Sequence, residues 1–451
     1  DKRSYKVRSD VNSSVTFNAG EFRLPYGHEY YTSTNLTHGY TFRQQLDYNT
    51  KIKEKHEIVA QAGFEVRENQ TKYNSDKLYN YDPDMLSYTP IDEKTLSSSA
   101  SGAWGTFSLA SNLDKPYFRE YINRYVSLYG NVAYTFDSKY TFTGSIRWDR
   151  SNLWGTSSKY QNKPIYSVGL SWNLKREEFF DVDWVDMLKI RLSHGIGGNI
   201  AKNSAPYMTA SYSNNTTVGG IQGSVSSRPN PALCWEKTTT DNLGVDFALF
   251  DNRVNGALEV YEKKGEDLLA NTMGVPTEGY GYSTYTINNG EMTNKGFEIT
   301  LQGDVLEGKD YSLGASFIMG YNKNKVTYVN VKAPVYYLAL DYPESYPRIG
   351  NPYNAIYGYK WAGLSTTGLP QIYNSKGEVI STQPSDIESI VYLGTYTPVY
   401  NGSFSFNARY KNWTLYLQFN YEGGHKIRNT FVPALSASYS SALASYVTSL
   451  S

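Results

Sequence analysis

Apolar and polar residues alternate with a period of two along many separate segments of the chain. In the segment YTFTGSIRWDRS, Tyr140, Phe142, Ile146 and Trp148 alternate with threonine, serine and charged residues. Side chains two positions apart leave the same face of an extended chain, so the pattern predicts a strand with one apolar and one polar face. It recurs in YVSLYGNVAYTF, IYSVGLSWNL, DNLGVDFALF, RVNGALEVYEKK, FEITLQGDV, YSLGASFIMGYN, GSFSFNARY and WTLYLQFNYEGG. Many runs last about nine to twelve residues, close to the length that a tilted strand needs to cross a bilayer.

The connections between these runs are of two kinds. Very short polar turns are predicted at residues 137–139, 251–252, 307–310 and 411–412, and long stretches rich in Gly, Ser, Asn and Pro at 195–237, 264–294 and much of 322–400. Short turns that alternate with long loops are typical of an outer-membrane barrel, with tight periplasmic turns and large extracellular loops. A compact soluble domain rarely contains several structureless loops of that length.

Composition excludes several other classes of protein. The 43 Lys and Arg residues balance 43 Asp and Glu residues, so no net charge favours nucleic acid as a partner. Cys234 is the only cysteine and the five histidines have no metal-ligand spacing, so neither an internal disulfide nor a metal site is predicted, and no cofactor is expected. No apolar run approaches the roughly 20 residues of a membrane helix.

The segment MLKIRLSHGIGGN resembles the start of a phosphate-binding loop. Its glycines, Gly195, Gly197 and Gly198, lack the third glycine of GxGxxG and the Lys-Ser/Thr of a P-loop, and no amphipathic helix follows. The preceding residues alternate, with Lys189 and Arg191 on the face opposite the leucines. We interpret the segment as a strand that reaches the bilayer surface, with its charged face toward the lumen.

Aromatic residues form 15% of the chain, and several lie near predicted strand ends. We predict that they form the girdles found at both surfaces of a membrane barrel, the alternative being ordinary core or cross-strand aromatic residues. They are Trp148, Trp172, Trp184, Trp235, Trp413 and Tyr421.

A series of segments in fixed order resembles the barrel of the SusC/RagA family of TonB-dependent outer-membrane transporters. The segments are YGNVAYTFDSKYTFTGSIRWDRSNLWG, YSVGLSWNLKREEFF, WVDMLKIRLSHGIGGN, NPALCWEKTTTDNLGVDFALFDNRVNGALEVYEKKGEDLL, NNGEMTNKGFEITL, GNPYNAIYGYKWAGL and PVYNGSFSFNARYKNWTLYLQF. They span roughly residues 120–425, whereas the first 120 residues fit by strand pattern alone. The segment RWDRSNLWG departs from the family's usual small residues.

The resemblance implies an all-β fold, in which residues 1–451 form part of one antiparallel transmembrane barrel of about 22 strands. The family's plug domain and TonB-contacting segment would precede this chain. The Ser/Ala-rich C-terminal end of this chain does not resemble the closing strand of a barrel. The implied function is import of an oligosaccharide or oligopeptide across the outer membrane of a Bacteroidetes-type bacterium. The implied partners are the TonB complex, a SusD-like surface lipoprotein and outer-membrane lipid.

Candidate substrate-binding residues fall into two groups. Charged side chains on polar strand faces are predicted to line the lumen: Arg147, Asp149, Lys189 and Arg191. Aromatic residues of the long loops could stack on sugar rings or peptide side chains, or could instead pack the loops or contact the lipoprotein: Trp154, Tyr160, Tyr212 and Tyr280.

Two other functional classes remain open at this stage. An outer-membrane enzyme is disfavoured because the nearest catalytic pairs, Ser193-His194 and Glu177-Glu178, are sequence neighbours, and neighbours on a strand point to opposite faces. A soluble β-rich binding protein or a surface adhesin is the second alternative. Fractionation distinguishes them, since a membrane barrel requires detergent.

Overall fold

The structure is a computed structural model of the 451-residue chain. The residues that it describes are 2–7, 17–18, 21–22, 27–91, 100–102, 105–107, 116–153, 164–199, 207–214, 220–227, 229–230, 232–273, 277, 284–331, 333, 339–340, 342–384 and 386–428. Within these ranges, no helix has the length and apolar character needed to cross a membrane.

The described residues are mostly in antiparallel strands. The strands are β1 (Lys2–Val7), β2 (Phe17–Asn18), β3 (Glu21–Phe22), β4 (His28–Ile52), β5 (His56–Asp82), β6 (Ser87–Thr89), β7 (Ala100–Gly102), β8 (Gly105–Phe107), β9 (Tyr117–Phe136), β10 (Tyr140–Ser151), β11 (Ile165–Asn173), β12 (Val185–Asn199), β13 (Thr209–Asn214), β14 (Ile221–Ser227), β15 (Glu236–Leu249), β16 (Val254–Met273), β17 (Thr284–Glu307), β18 (Tyr311–Val329), β19 (Ala355–Leu364), β20 (Pro370–Tyr373), β21 (Val379–Ile380), β22 (Ile390–Thr395), β23 (Tyr400–Tyr410) and β24 (Trp413–Gly423). One-turn 3-10 helices lie at Leu174–Arg176 and Ile387–Ser389.

Successive long strands of the chain are neighbours in the main sheet. The strand order is β1, β4, β5, β9, β10, β11, β12, β15, β16, β17, β18, β23, β24, with β6 beside β5. This up-and-down order is that of an antiparallel barrel wall. The chain divides into two compact units, residues 1–45, 63–128 and 149–152 in the first, and 46–62, 129–148 and 153–451 in the second.

In the second unit, register separates an apolar face from a polar face, as the alternation predicts. One row of paired residues on the apolar face contains Leu192, Leu243, Val260, Phe297 and Tyr321, from β12 and β15 to β18. These residues are half-buried to exposed, although each is large and apolar, as expected of a surface that faces lipid. The next same-face row, toward the long connections, contains His194, Asp241, Glu262, Lys295 and Lys323. The apolar face therefore becomes charged within one row.

The four predicted short turns are confirmed, because β9–β10, β15–β16, β17–β18 and β23–β24 are joined at those positions. Positive φ angles at Asp137 and Ser138 and again at Asp251 and Asn252 give the twist that tight hairpin turns require. These turns lie together at one end of the strands of the second unit, so the long connections lie at the other end.

Several predicted girdle residues lie at the short-turn end. Trp172 stacks on Tyr140, with ring centroids 6.4 Å apart, and Trp184 stacks on Phe250 at 5.6 Å. Trp413 is exposed and opposite Tyr410. Further along the strands, Trp148 is exposed on β10, the Trp235 ring lies against Gly198, and the Tyr421 ring lies over Gly402. The placement of the first three is that of one girdle.

The three long stretches do connect the barrel strands, as predicted, but they are not structureless. In the first of these stretches, β12 continues to Asn199 and a hairpin of β13 and β14 follows. In the second, β16 and β17 pair as far as Met273 and Thr284. Alternation of polarity ends where both faces of a strand meet water, but backbone hydrogen bonding continues, so the strands extend beyond the runs that their sequence shows.

The third stretch contains a separate folded element, which we call the inserted sheet. Its strands have the order β21, β20, β19, β22, and they lie in the chain between β18 and β23. Buried residues from different strands and from a preceding turn form its core: Ala339, Ala355, Tyr357 and Ile390. The inserted sheet therefore has its own hydrophobic core, apart from the long strands.

Candidate functional site

An ion-pair network lies on the polar face of β12, β15 and β16. The Arg191 guanidinium donates from Nε to Asp246 Oδ2 and from Nη2 to Asp246 Oδ1, both at 2.7 Å. Arg191 Nη2 also donates to Glu259 Oε1 at 2.7 Å, and Asn242 Nδ2 donates to Glu259 Oε2 at 3.1 Å. Bidentate pairing of this kind fixes the orientation of both partners.

The register explains how one arginine reaches carboxylates on two strands. Arg191 pairs with Gly244, and Gly244 pairs with Glu259. A Cβ on Gly244 would lie 3.0 Å from Arg191 Nη2, so the guanidinium lies across the glycine and extends over β15. Glycine at this position leaves the space that the network occupies.

The network carries charges of both signs on one wall. Side chains of Arg191, Asp246 and Glu259 are 33%, 23% and 27% exposed. Lys189 is the register partner of Asp246, and Glu298 of β17 is the partner of Glu259. A polar ligand at this face would therefore meet donors and acceptors in alternation, which suits a polar solute without selecting one charge sign.

The predicted lumen residues are only partly brought together. Lys189 and Arg191 share the network's face, and their position in the lumen stays a prediction. Arg147 lies on the polar face of β10, with its guanidinium carbon 5.7 Å from the centre of the Tyr129 ring. Arg147 and Tyr129 line a groove of about 530 Å³ together with small residues that include Ser145, Ser167 and Gly195. Asp149 is buried in the first unit.

Of the predicted loop aromatics, Tyr212 is 75% exposed on β13. Its ring lies beside Gly223 of β14, where a Cβ would be 3.2 Å from Tyr212 Cε1. Trp154, Tyr160 and Tyr280 lie outside the residues that the structure describes.

Sequence reasoning missed Glu259 and Asn242 as members of the site. Glu259 lies between Leu258 and Val260 in an alternating run, which places it on the polar face. The sequence does not show which residue of a neighbouring strand lies beside Glu259. Only the strand register reveals that Arg191 is its partner.

The structure separates the side chains of Ser193 and His194, a pair that the sequence disfavours as a catalytic constellation. Ser193 pairs with Asn242 on the polar face, while His194 pairs with Asp241 on the opposite face, and His194 Nδ1 lies 2.7 Å from Asp241 Oδ1. Among the residues that the structure describes, no group of three or more His, Cys, Asp or Glu residues could hold a metal ion.

Glu177 has a structural role at the short-turn end. It follows the 3-10 helix Leu174–Arg176 and is 10% exposed. It accepts hydrogen bonds from the Tyr140 hydroxyl, from Trp172 Nε1 at 2.9 Å and from Lys139 Nζ at 3.2 Å. These donors, Tyr140 first, lower the pKa of Glu177 below its ordinary value of 4.5. The carboxylate thus ties two aromatic rings to the turn.

We expect Glu177→Gln to destabilise the folded protein at neutral pH, because the amide cannot accept all three bonds. A pKa lowered on folding gives stability that is present above the unfolded value and lost as pH falls through the folded value. The difference between wild type and variant in denaturant midpoint should therefore narrow below pH 4.5. Glu178→Gln, at an exposed neighbour, is the control. A difference that stays constant as the pH falls would contradict this role.

The short turns at one end, the exposed apolar face and the charged opposite face together define the wall of a transmembrane β-barrel. The sequence model of the family described as "TonB dependent receptor-like, beta-barrel" matches residues 2–421. The chain belongs to this family of outer-membrane proteins.

Individual relatives agree with this assignment. TonB-dependent receptor P3 of Formosa agariphila is 30% identical over 331 residues, which cover 67% of this chain and 32% of that protein. TonB-dependent receptor SusC of Bacteroides thetaiotaomicron is 33% identical over 214 residues, 46% of this chain and 21% of that protein. The fold is similar to a chain of the RagAB peptide transporter, with a TM-score of 0.73 and 24% identity over 88% of this chain and 42% of that one.

The chain spans about a third or less of the curated relatives that it matches. The matches confirm the resemblance to the SusC/RagA group, the transmembrane-barrel fold and the outer-membrane location. They also confirm a receptor of this family rather than an enzyme, and the soluble binding protein is not retained.

Proposed function

We propose that the full-length protein imports an oligomeric nutrient, an oligosaccharide or an oligopeptide, across the outer membrane with energy from the TonB complex. The observation that carries this proposal is the Arg191–Asp246–Glu259 network. It places charges of both signs on the strand face opposite the apolar surface. Within the family, this wall would line the lumen of a barrel of about 22 strands. Residues 1–451 would form part of that single barrel, and a plug domain would precede them.

A polar wall with paired charges suits the passage of a neutral or zwitterionic solute. Arg191 pairs with both Asp246 and Glu259 and offsets one of their two negative charges. The three side chains therefore leave one net negative charge, and the wall offers hydrogen bonds without strongly retaining an anion. Arg147 and Lys189 would extend this lining, and Asp149 is proposed as a further lining residue.

A SusD-like surface lipoprotein is the proposed partner at the long-connection end. The RagAB structure is that of a peptide transporter, and SusC is a TonB-dependent receptor. In this chain, Tyr212 is exposed, and we propose that it contacts a substrate or the lipoprotein. Trp154, Tyr160 and Tyr280 are proposed for the same role.

We expect deletion of the gene to abolish growth on one oligomeric nutrient. Growth on the corresponding monomer should be unchanged, because small solutes pass through porins without a TonB-dependent step. Uptake of the labelled oligomer should also stop when a protonophore removes the energy source of TonB. The measurement is growth of the deletion strain and of its complemented derivative on matched panels of oligosaccharides, oligopeptides and their monomers.

Unchanged growth of the deletion strain on every oligomer of both panels would overturn the proposed function. Loss on glycans alone or on peptides alone would assign the substrate class. Uptake that persists after addition of the protonophore would contradict dependence on TonB.

A further inference from the structure

Four lysines of β16, β17 and β18 form a patch on the outward side of the sheet, just beyond its apolar band. We call Lys264, Lys295, Lys323 and Lys325 the lysine patch. Lys295 and Lys323 are register partners, and Thr293 pairs with both Lys264 and Lys325. All four side chains are exposed. They therefore occupy two adjacent rows on one face of three neighbouring strands.

The register places this patch directly above hydrocarbon-facing residues. Along β17 and β18, the same-face residues next to the patch are Phe297 and Tyr321, whose rings stack with centroids 5.4 Å apart. Side chains two positions apart on a strand share a face, so the lysines point outward with these rings and away from the lumen wall. The patch lies at the long-connection end, which faces the cell exterior in outer-membrane barrels.

The patch carries an excess of positive charge. Glu262 is the carboxylate that it contacts, 3.2 Å from Lys295 Nζ and 3.8 Å from Lys264 Nζ. Beside the patch, Lys237 of β15 pairs with Glu266 of β16 at 2.6 Å, and the His194 ring lies 2.7 Å from Asp241. Lys323 and Lys325 have no carboxylate partner among the residues that the structure describes. The patch thus contains four cations and contacts one carboxylate, which pairs with two of them.

We propose that the lysine patch binds the phosphate groups of an anionic glycolipid in the outer leaflet of the outer membrane. Strand and residue spacings put the four Cα atoms within an area of about 10 Å by 7 Å, comparable to one lipid headgroup. Lysines at this level meet the headgroup layer, where a cluster of cations attracts lipid phosphate. Beside the patch, Lys237 is already paired with Glu266 and offers no equivalent cluster of cations. The inference goes beyond nutrient import and depends only on the barrel's place in the membrane.

The test uses the full-length protein, purified in mild detergent, and the variant Lys323→Gln/Lys325→Gln. The probes are purified lipid A, the same lipid after enzymatic dephosphorylation, and inorganic phosphate, with binding followed by native mass spectrometry and by the thermal unfolding midpoint. Lys309→Gln/Lys411→Gln removes the same charge from exposed residues at the short-turn end and is the control. Heat-dependent gel mobility shows that each variant is folded.

We expect lipid A to bind wild type and control equally, and to bind Lys323→Gln/Lys325→Gln about thirty-fold more weakly, since each lysine at the surface contributes on the order of a fivefold change. Lys323→Arg/Lys325→Arg should restore binding. Equal binding to both glutamine variants, equal binding of dephosphorylated lipid, or an equal midpoint shift from inorganic phosphate would each overturn the proposal. So would loss of a copurifying lipoprotein from Lys323→Gln/Lys325→Gln with lipid A binding unchanged.

Discussion

Tyr357→Ala is expected to destabilise the inserted sheet while the long strands remain folded. Tyr357 is 1% exposed and packs with Ala339, Ala355 and Ile390 in the core. Its hydroxyl accepts a hydrogen bond from Asn351 Nδ2 at 3.1 Å. Removal of a buried ring of this size costs about 3–4 kcal/mol, from lost burial and from the cavity that remains.

Limited trypsin digestion of the full-length protein measures this effect, because the inserted sheet and the turn before it contain Arg348, Lys360 and Lys376. Local opening of the sheet should become about two to three orders of magnitude more frequent, and cleavage at these residues should accelerate accordingly. Heat-dependent gel mobility of the barrel should be unchanged. Tyr392→Ala, at an exposed ring that contacts Tyr357 edge-on at 6.4 Å, is the control and should have little effect. Equal acceleration by both variants would contradict a central role for Tyr357.

Arg191→Met is expected to destabilise the barrel by about 2–3 kcal/mol. The substitution keeps an apolar stem but leaves Asp246 and Glu259 facing each other without their shared cation. Loss of one partner from a buried pair costs 3–5 kcal/mol, and the one-third exposure of Arg191 lowers that cost. The denaturant midpoint of the full-length protein in detergent measures the change.

A compensating variant separates charge from packing at this site. Arg191→Met combined with Asp246→Asn and Glu259→Gln should recover much of the lost stability, because the remaining groups are neutral. Lys189→Met is the matched control on the same strand face, since Lys189 makes no ion pair among the described residues. If Lys189→Met and Arg191→Met lower the midpoint equally, the network does not have the role assigned to it.

The presence of the strands, and the face on which each side chain lies, could be predicted from the sequence. A strand with one face toward lipid must alternate apolar and polar residues. Leu192 and Arg191 leave opposite faces for a reason visible in the local sequence, and the short turn at 137–139 follows from the end of one alternating run and the start of the next. The lengths of β16 and β17 could not be predicted, because beyond the bilayer both faces of a strand meet water and alternation no longer marks it.

The residues of the site could be predicted less completely than the strands. Arg191 was identified, but its partners lie 55 and 68 positions away in the chain, and a register set by several hairpins brings them together. The inserted sheet was missed for a different reason. Its strands are short and its core is small, so Gly, Ser and Asn between them resemble an ordinary loop.

The abrupt change from Leu192 and Phe297 to His194 and Lys295 also fixes how deep the protein sits in the bilayer. A shift of one row into the membrane is roughly 7 Å along a strand. It would bring His194, Asp241, Glu262, Lys295 and Lys323 into hydrocarbon. A lysine on a lipid-facing strand costs roughly 2–4 kcal/mol at the midplane and less nearer the surface. Because five such side chains would enter the hydrocarbon together, movement of the barrel along the membrane normal is energetically unfavourable. The Arg191 network is therefore held at a constant depth below the cell surface.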